Sequence, residues 1–276
     1  MRNHFDLIIE PKGAARKYWL ELWKYRELFF FLAWRDILVR YKQTIIGIAW
    51  SVVRPVLTMI VFTVVFGNLA KFPSEGGAPY PVMVFVALLP WQLFANALTE
   101  TSNSLIANSG MISKVYFPRL IIPASAVIVG LVDFLISAVL LVGIMAWYQF
   151  VPGWKIMFLP LFLLLALINA LGFGVWLAAL NVRYRDFRYI VPFMVQFGLY
   201  VSPVGFSSRV VPEEWRLLYS LNPMVGVIDG FRWAVLGNDA EIYWPGFAMS
   251  VCLSLSIFII SIRYFRKTER SFADVI

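Results

Sequence analysis

Arg35-Asp36-Ile37-Leu38-Val39-Arg40-Tyr41-Lys42-Gln43-Thr44 runs without a break into about 25 mostly apolar residues, Ile45 to Leu69. At about 1.5 Å per residue that run is long enough to cross a bilayer as a helix. A basic flank tied directly to a membrane-length segment also sets its direction. Arg35, Arg40 and Lys42 stay on the cytoplasmic side and the apolar run goes in.

The rest of the chain fits that beginning. It is 61% apolar, 17% aromatic and 14% charged, with a mean hydropathy of +0.75. Soluble domains average roughly 45–50% apolar and about 25% charged, so the composition is that of a membrane protein. The formal net charge of +8 does not point to nucleic acid, because the cations sit in the gaps between apolar runs. They read as topology signals and contacts to anionic headgroups. Cys252 and His4 are the sole cysteine and histidine, so one chain can build neither a disulfide nor a Cys/His metal site. The N-terminal residues carry no secretory-signal pattern, since polar and charged residues recur throughout the first 27 and the short run Leu28 to Trp34 ends at Arg35.

Six segments are long enough to span: approximately Ile45–Leu69, Tyr80–Ile106, Leu120–Tyr148, Ile156–Leu180, Tyr189–Phe206 and Tyr243–Tyr264. An even number puts both termini on one side. With that alternation, 18 Lys and Arg fall on the side of the termini and five on the other, Arg54 lying inside the first span. The asymmetry places both termini in the cytoplasm. The expected organisation is an all-α polytopic protein: a cytoplasmic or interfacial region at 1–44, a six-span region at 45–264 and a cytoplasmic tail at 265–276.

Two segments do not cross. Residues 10–44 hold Trp19, Trp23, Phe29, Phe30, Phe31 and Trp34, with Lys17, Glu21, Lys24 and Glu27 at helical spacing beside them. Such an amphipathic helix suits the headgroup boundary; a soluble helix with a packed apolar stripe is the rival reading. Between the last two spans, Leu221-Asn222-Pro223 opens the apolar segment Met224–Leu236, which Gly237 closes. It is too short to cross, and a helix sets its Asp229 and Arg232 on neighbouring positions. It reads as a re-entrant or surface helix on the outer side, tolerated at membrane depth only inside protein or beside a wet cavity.

Catalytic signatures are missing. There is no Gly-x-x-x-x-Gly-Lys-Ser/Thr loop to cradle nucleotide phosphates, no His-Glu-x-x-His and no serine elbow. The predicted cytoplasmic loops lack the paired carboxylates of a metal-dependent glycosyltransferase, and Glu213-Glu214 reads as a solvated turn on the outer side. Catalysis by this chain alone is not expected.

Several strings carry a family resemblance: Trp34-Arg35-Asp36 through Arg40-Tyr41-Lys42-Gln43-Thr44, then Gly47-Ile48-Ala49-Trp50 and Pro55. Further along come Ile112-Ser113-Lys114-Val115-Tyr116-Phe117-Pro118-Arg119, Asn181-Val182-Arg183-Tyr184-Arg185-Asp186, and Leu221-Asn222-Pro223-Met224 with Gly230-Phe231-Arg232. Taken in order, they resemble the permease subunit of bacterial ABC-type polysaccharide exporters, the type-2 permeases for O-antigen, capsule or teichoic acid chains. The resemblance implies an N-terminal interfacial helix, six spans and re-entrant outer helices between the last two. It also implies a homodimer in the bacterial inner membrane, each copy bound to an ABC ATPase subunit that holds the ATP and Mg. The pair would form a channel for a glycan on a polyprenyl-diphosphate lipid. This chain itself would need no cofactor.

Within that frame the loops take on tasks. Lys114, Val115, Tyr116, Phe117, Pro118 and Arg119 form a short amphipathic piece with two aromatics between two cations, the composition of an interface anchor. This piece is the expected main coupling element to the ATPase. Arg183, Arg185 and Asp186 read either as a second contact, with Asp186 available to pair with either arginine, or as an ordinary positive-inside loop. Arg35, Arg40 and Lys42 sit at the level of a diphosphate headgroup, for which guanidinium and ammonium groups are suited; anionic lipid is the rival ligand. A sliding glycan needs aromatic faces, and Trp91, Phe94, Trp176, Phe197, Tyr200 and Phe206 are the candidates, set against ordinary belt and packing roles.

Ionisable groups inside spans need partners. Arg54 lies roughly 15 Å past Thr44 at helical rise, and Asp133 lies at a comparable depth in the third span, so the two are expected to pair. Glu100 is the rival partner. The expected function is export of lipid-linked polysaccharide, with O-antigen favoured among the glycans. The rivals are a type-2 exporter of drugs or other lipids, a membrane-bound glycan-modifying transferase and a passive channel.

Overall fold

The computed structural model describes residues 15–42, 45–237, 240–269 and 272. The remaining parts of the expected N-terminal region and tail lie outside the described residues. Eleven α-helices are present among those described. The N-terminal region forms α1 (Ala15–Lys24) and α2 (Arg26–Lys42), and the first span is α3 (Ile45–Phe62), continued as a π-helix over Thr63–Leu69. Then come α4 (Tyr80–Ala107), the short α5 (Ser109–Ile112), α6 (Ile121–Trp147) and α7 (Leu159–Arg183), which follows a 3₁₀ turn at Trp154–Phe158. The chain closes with α8 (Phe187–Val201), α9 (Glu213–Tyr219), α10 (Pro223–Leu236) and α11 (Trp244–Thr268). No strand occurs among the described residues. The all-α polytopic architecture stands.

Among the described residues five helices are long and apolar enough to cross a membrane, and the span expected at Tyr189–Phe206 is shorter. Helix α8 ends at Val201 because Pro203 forces Ser202 into an extended conformation (φ −82°, ψ 154°). At about 1.5 Å per residue its 15 residues cover only about 22 Å, so the segment that follows it must complete the thickness.

Helix α4 lies at the centre, packed on α6, α7 and α10, and buried along most of its length. Small residues set its distance from its neighbours. A Cβ on Gly130 of α6 would stand 3.2 Å from Ala97, and one on Gly174 of α7 would stand 2.7 Å from Thr101. Where lipid and core are equally apolar, such close backbone approach and interhelical hydrogen bonds hold helices together. Asn181 of α7 supplies two of them, to the Ser102 carbonyl (3.0 Å) and to Asn103 (3.1 Å).

The segment expected as a re-entrant or surface helix is a helix buried in the bundle. Helix α10 starts with Pro223 at its first position, the Asn222 side chain accepting from the Met224 amide (3.1 Å), and stops at Gly237 with φ 95°. It packs between α4, α7 and α11. Its Arg232 is fully buried and donates to the carbonyls of Phe206 (2.9 Å) and Val204 (3.1 Å). One cation thereby satisfies the backbone that α8 leaves open when it ends early.

Gly230 is where α10 meets α7, because a Cβ there would stand 2.2 Å from the Phe162 ring. Gly230→Ala is therefore expected to destabilise the protein by about 1–3 kcal/mol through overpacking, read as thermal unfolding in detergent. Adding Phe162→Ala should make the glycine substitution nearly neutral. An unchanged melting curve for Gly230→Ala alone would contradict this packing.

Candidate functional site

Between Val82 and Leu105, α4 is buried except at Gln92, Asn96, Thr99, Glu100 and Asn103. These recur at steps of three and four, so they form one polar stripe on a helix otherwise surrounded by packing. The stripe from Gln92 to Glu100 lines an open cavity of about 770 Å³, whose other walls come from the C-terminal end of α2 and from α3, α6 and α8. Its wall also carries Trp50, Arg54, Trp91, Phe134, Gln196 and Tyr200. Hydrogen-bonding amides and hydroxyls face aromatic rings across one space.

Asp133 lies in the wall, midway along α6. Its side chain is 7% exposed and accepts from Arg40 at 2.7 Å, from Asn96 at 3.2 Å and from the Tyr41 hydroxyl. Arg40 reaches Glu100 as well, at 3.0 Å. A carboxylate taken out of water is tolerated only with a nearby cation and satisfied lone pairs, and α2 supplies both. The expected pair of Arg54 with Asp133 is not formed. Arg54 is exposed on the cavity wall, and Arg40 has the place because α2 does not lie flat beneath the bundle. Arg35 bonds Asn108 (2.8 Å) and Arg40 bonds Glu100, so five residues forward on α2 run eight residues back along α4. The helix climbs along α4 and α6 and inserts its charged end.

The same geometry redistributes the three cations expected to meet a headgroup. Arg35 is held by Asp36 (2.7 Å) and Asn108, Arg40 by the two carboxylates, and Lys42 stays exposed. Among the aromatics named from sequence, Trp91 and Tyr200 line the cavity. Trp91 packs against Gly198 of α8, where a Cβ would come within 2.6 Å of the indole. Phe94 turns into the core, edge-on to Phe173 at 6.0 Å. Trp176 is exposed on α7, and Phe197 is exposed on α8, stacked on Phe193 at 6.2 Å. Phe206 sits in a separate cluster with Phe66 and Phe72, 6.3 Å from each. Sequence reasoning missed Trp50, Gln92, Asn96 and Gln196; the stripe spacing on α4 was the signal for two of them.

A second apolar cluster gathers one end of the bundle. Leu32 of α2, Leu105, Ile112, Phe117, Ile121, Val182 and Phe265 pack there, with Tyr18 and Leu22 of α1 against them. The segment after α5 divides in two. Lys114, Val115 and Tyr116 project outward, Tyr116 being 86% exposed, while Phe117 and Pro118 are buried. Arg119 donates to the Glu269 carbonyl, and Tyr18 donates to the Glu269 carboxylate at 3.0 Å, tying α1 to the end of α11. Arg183, Arg185 and Asp186 are exposed at the same end; Arg183 lies over Tyr184 at 5.5 Å. No ion pair joins Asp186 to Arg183 or Arg185. Among the described residues no group of His, Cys, Asp or Glu could hold a metal ion.

Comparison with known proteins adds to this geometry. A family model described as "ABC-2 type transporter" matches residues 27–236. An O-antigen export system permease protein RfbA of Klebsiella pneumoniae is 26% identical, over 88% of this chain and 92% of its own length. Another of that name from Myxococcus xanthus is 28% identical, over 77% of this chain and 81% of its own length. The inner membrane transport permease YadH of Escherichia coli K12 is 26% identical, over 70% of this chain and 78% of its own length.

The burial of the two carboxylates on Arg40 separates their effects. Asp133→Asn removes the buried anchor of α2 while Arg40 keeps Glu100, and is expected to cost about 1–3 kcal/mol. Glu100, half exposed at 50%, should cost no more than about 1 kcal/mol as Gln. Thermal unfolding of both variants in lipid nanodiscs checks the order, and equal losses would contradict it.

Proposed function

Because the chain belongs to the ABC-2 type transporter family, we propose that it is the permease subunit of an ATP-driven exporter of lipid-linked polysaccharide. The carrying observation is the cavity, where the amides of Gln92, Asn96 and Gln196 face the rings of Trp50, Trp91 and Tyr200. Aromatic faces give a sugar chain apolar C–H contact without fixing its identity, and amides exchange hydrogen bonds with successive hydroxyls. A moving polymer needs both. The names of the Klebsiella and Myxococcus relatives support O-antigen as the cargo.

Two copies would complete the path. Helices α3 and α8 wall the cavity, yet they expose Leu57, Val61, Phe193 and Phe197. Facing a second copy, these surfaces would close two half-cavities into one channel. At the end of the bundle carrying α1, Lys114 to Tyr116 would receive an ABC ATPase subunit, which hydrolyses the ATP. The arginines at 183 and 185 would widen that contact. Both termini lie on the cytoplasmic side of the bacterial inner membrane by the charge asymmetry.

In this reading α1 and α2 are the transmission. They pack on the same apolar cluster that anchors Phe117, and Arg40 carries their position into the cavity wall. A push on the 112–119 segment would therefore reach the glycan path through a short, stiff route. The carrier's diphosphate would approach from the side of Lys42.

Deletion of the gene in its native host should remove surface polysaccharide and accumulate lipid-linked glycan inside the membrane, with restoration by the unaltered chain. Tyr116→Asp, at an exposed interface anchor, should lower export at least about tenfold and release the co-purifying ATPase while the permease stays folded. Normal surface glycan in the deletion strain would contradict the cargo. An undiminished ATPase in the Tyr116 variant would contradict the coupling site.

A further inference from the structure

Two arginines line the cavity, and they stand in different electrostatic states. Arg40 is shared by Asp133 at 2.7 Å and Glu100 at 3.0 Å. That corner holds two carboxylates on one guanidinium, so Arg40 has no charge left to offer an incoming anion. Arg54, on α3, is exposed, and among the described residues it makes no ion pair. The same cavity wall carries neutral polar groups, among them Thr58, Gln92 and Gln196. A guanidinium on a membrane-spanning helix that pairs with no carboxylate among the described residues is a functional group in search of a ligand.

We propose that Arg54 is the anion-receiving group of this cavity, taking a phosphate or carboxylate of the passing cargo. The inference rests on the cavity being the cargo path. Guanidinium suits the task because its planar fork meets two oxygens of either group at once. Its position also sorts the cargo. An anion is held on the α3 wall rather than by the already paired Arg40, while uncharged sugar units pass along Trp91 and Tyr200. The cargo class is thus an anion-bearing glycan or glycolipid. The charge is either the diphosphate of the lipid carrier or acidic groups on the sugars.

The test uses the intact permease–ATPase complex in lipid nanodiscs and three probes. These are a short polyprenyl diphosphate without sugar, an acidic oligosaccharide of uronic acids without lipid, and an uncharged oligosaccharide of equal length. Isothermal titration compares the unaltered complex with Arg54→Gln and Arg54→Lys. Loss of one charge-assisted contact should weaken at least one anionic probe about tenfold in the Gln variant. The Lys variant should keep most of that affinity, and the uncharged probe should be unaffected. A response confined to the diphosphate assigns the anion to the carrier, and one confined to the uronic acids assigns it to the sugars.

Equal binding of every probe to the unaltered complex and the Gln variant would overturn the proposal. So would a Gln variant whose two copies separate on size exclusion, since Arg54 would then be paired with a carboxylate of the second copy. If the unaltered complex binds none of the three probes, the cavity is not the cargo path and the proposed function fails with it.

Discussion

A carboxylate in the middle of an apolar helix must be neutralised, and here the cation comes from outside the spans. Asp133 of α6 is met by Arg40 of α2, with Tyr41 and Asn96 completing its hydrogen bonds. Much of the architecture depends on that meeting. To deliver Arg40, α2 has to climb along α4 and α6. The climb places Arg35 on Asn108 and Leu32 in the apolar cluster at the end of the bundle. It also caps the cavity with a charged corner.

The cavity follows from how α4 is used. Every face of that helix is packed except the polar stripe, so the stripe must look into space or into a partner. Helices α3 and α8 stand opposite it without closing on it, and both keep large apolar side chains outward. A helix apolar all round belongs among other helices or in lipid, which agrees with a second copy completing the enclosure. The end of the bundle that carries α10 is built on the same economy of charge. Arg232 satisfies the carbonyls exposed where α8 stops short. Charged groups inside this protein either close a backbone gap or tie one helix to another. Arg54 does neither.

Much of the fold was legible because periodicity and length are local. The first span runs from Ile45 to Leu69 as expected, and the Pro223–Gly237 punctuation marked α10. The misjudged boundary, α8, depends on what Pro203 does to Ser202, a local signal overlooked because the apolar run continues past it. The charge pairing was not legible. Arg40 and Asp133 are 93 residues apart, and Arg40 sits in a basic cluster whose ordinary reading is a headgroup contact. Depth along the spans suggested Arg54 for Asp133; the climb of α2 decided otherwise. In the 112–119 segment, sequence grouped Tyr116 with Phe117. Alternation of exposure separates them, one outward and one in the core.

Arg40 carries the position of α2 into the cavity wall, and the coupling of the two depends on its hold on Asp133. A double-mutant cycle with Arg40→Ala, Asp133→Ala and the double variant, read as unfolding free energy of the assembled complex in lipid nanodiscs, tests this most directly. Groups in direct buried contact should show a coupling above about 1 kcal/mol, with the double variant well short of the sum of the singles. Additivity within about 0.5 kcal/mol would mean that the two side chains do not hold each other, and that α2 is not fastened to the cavity by this pair.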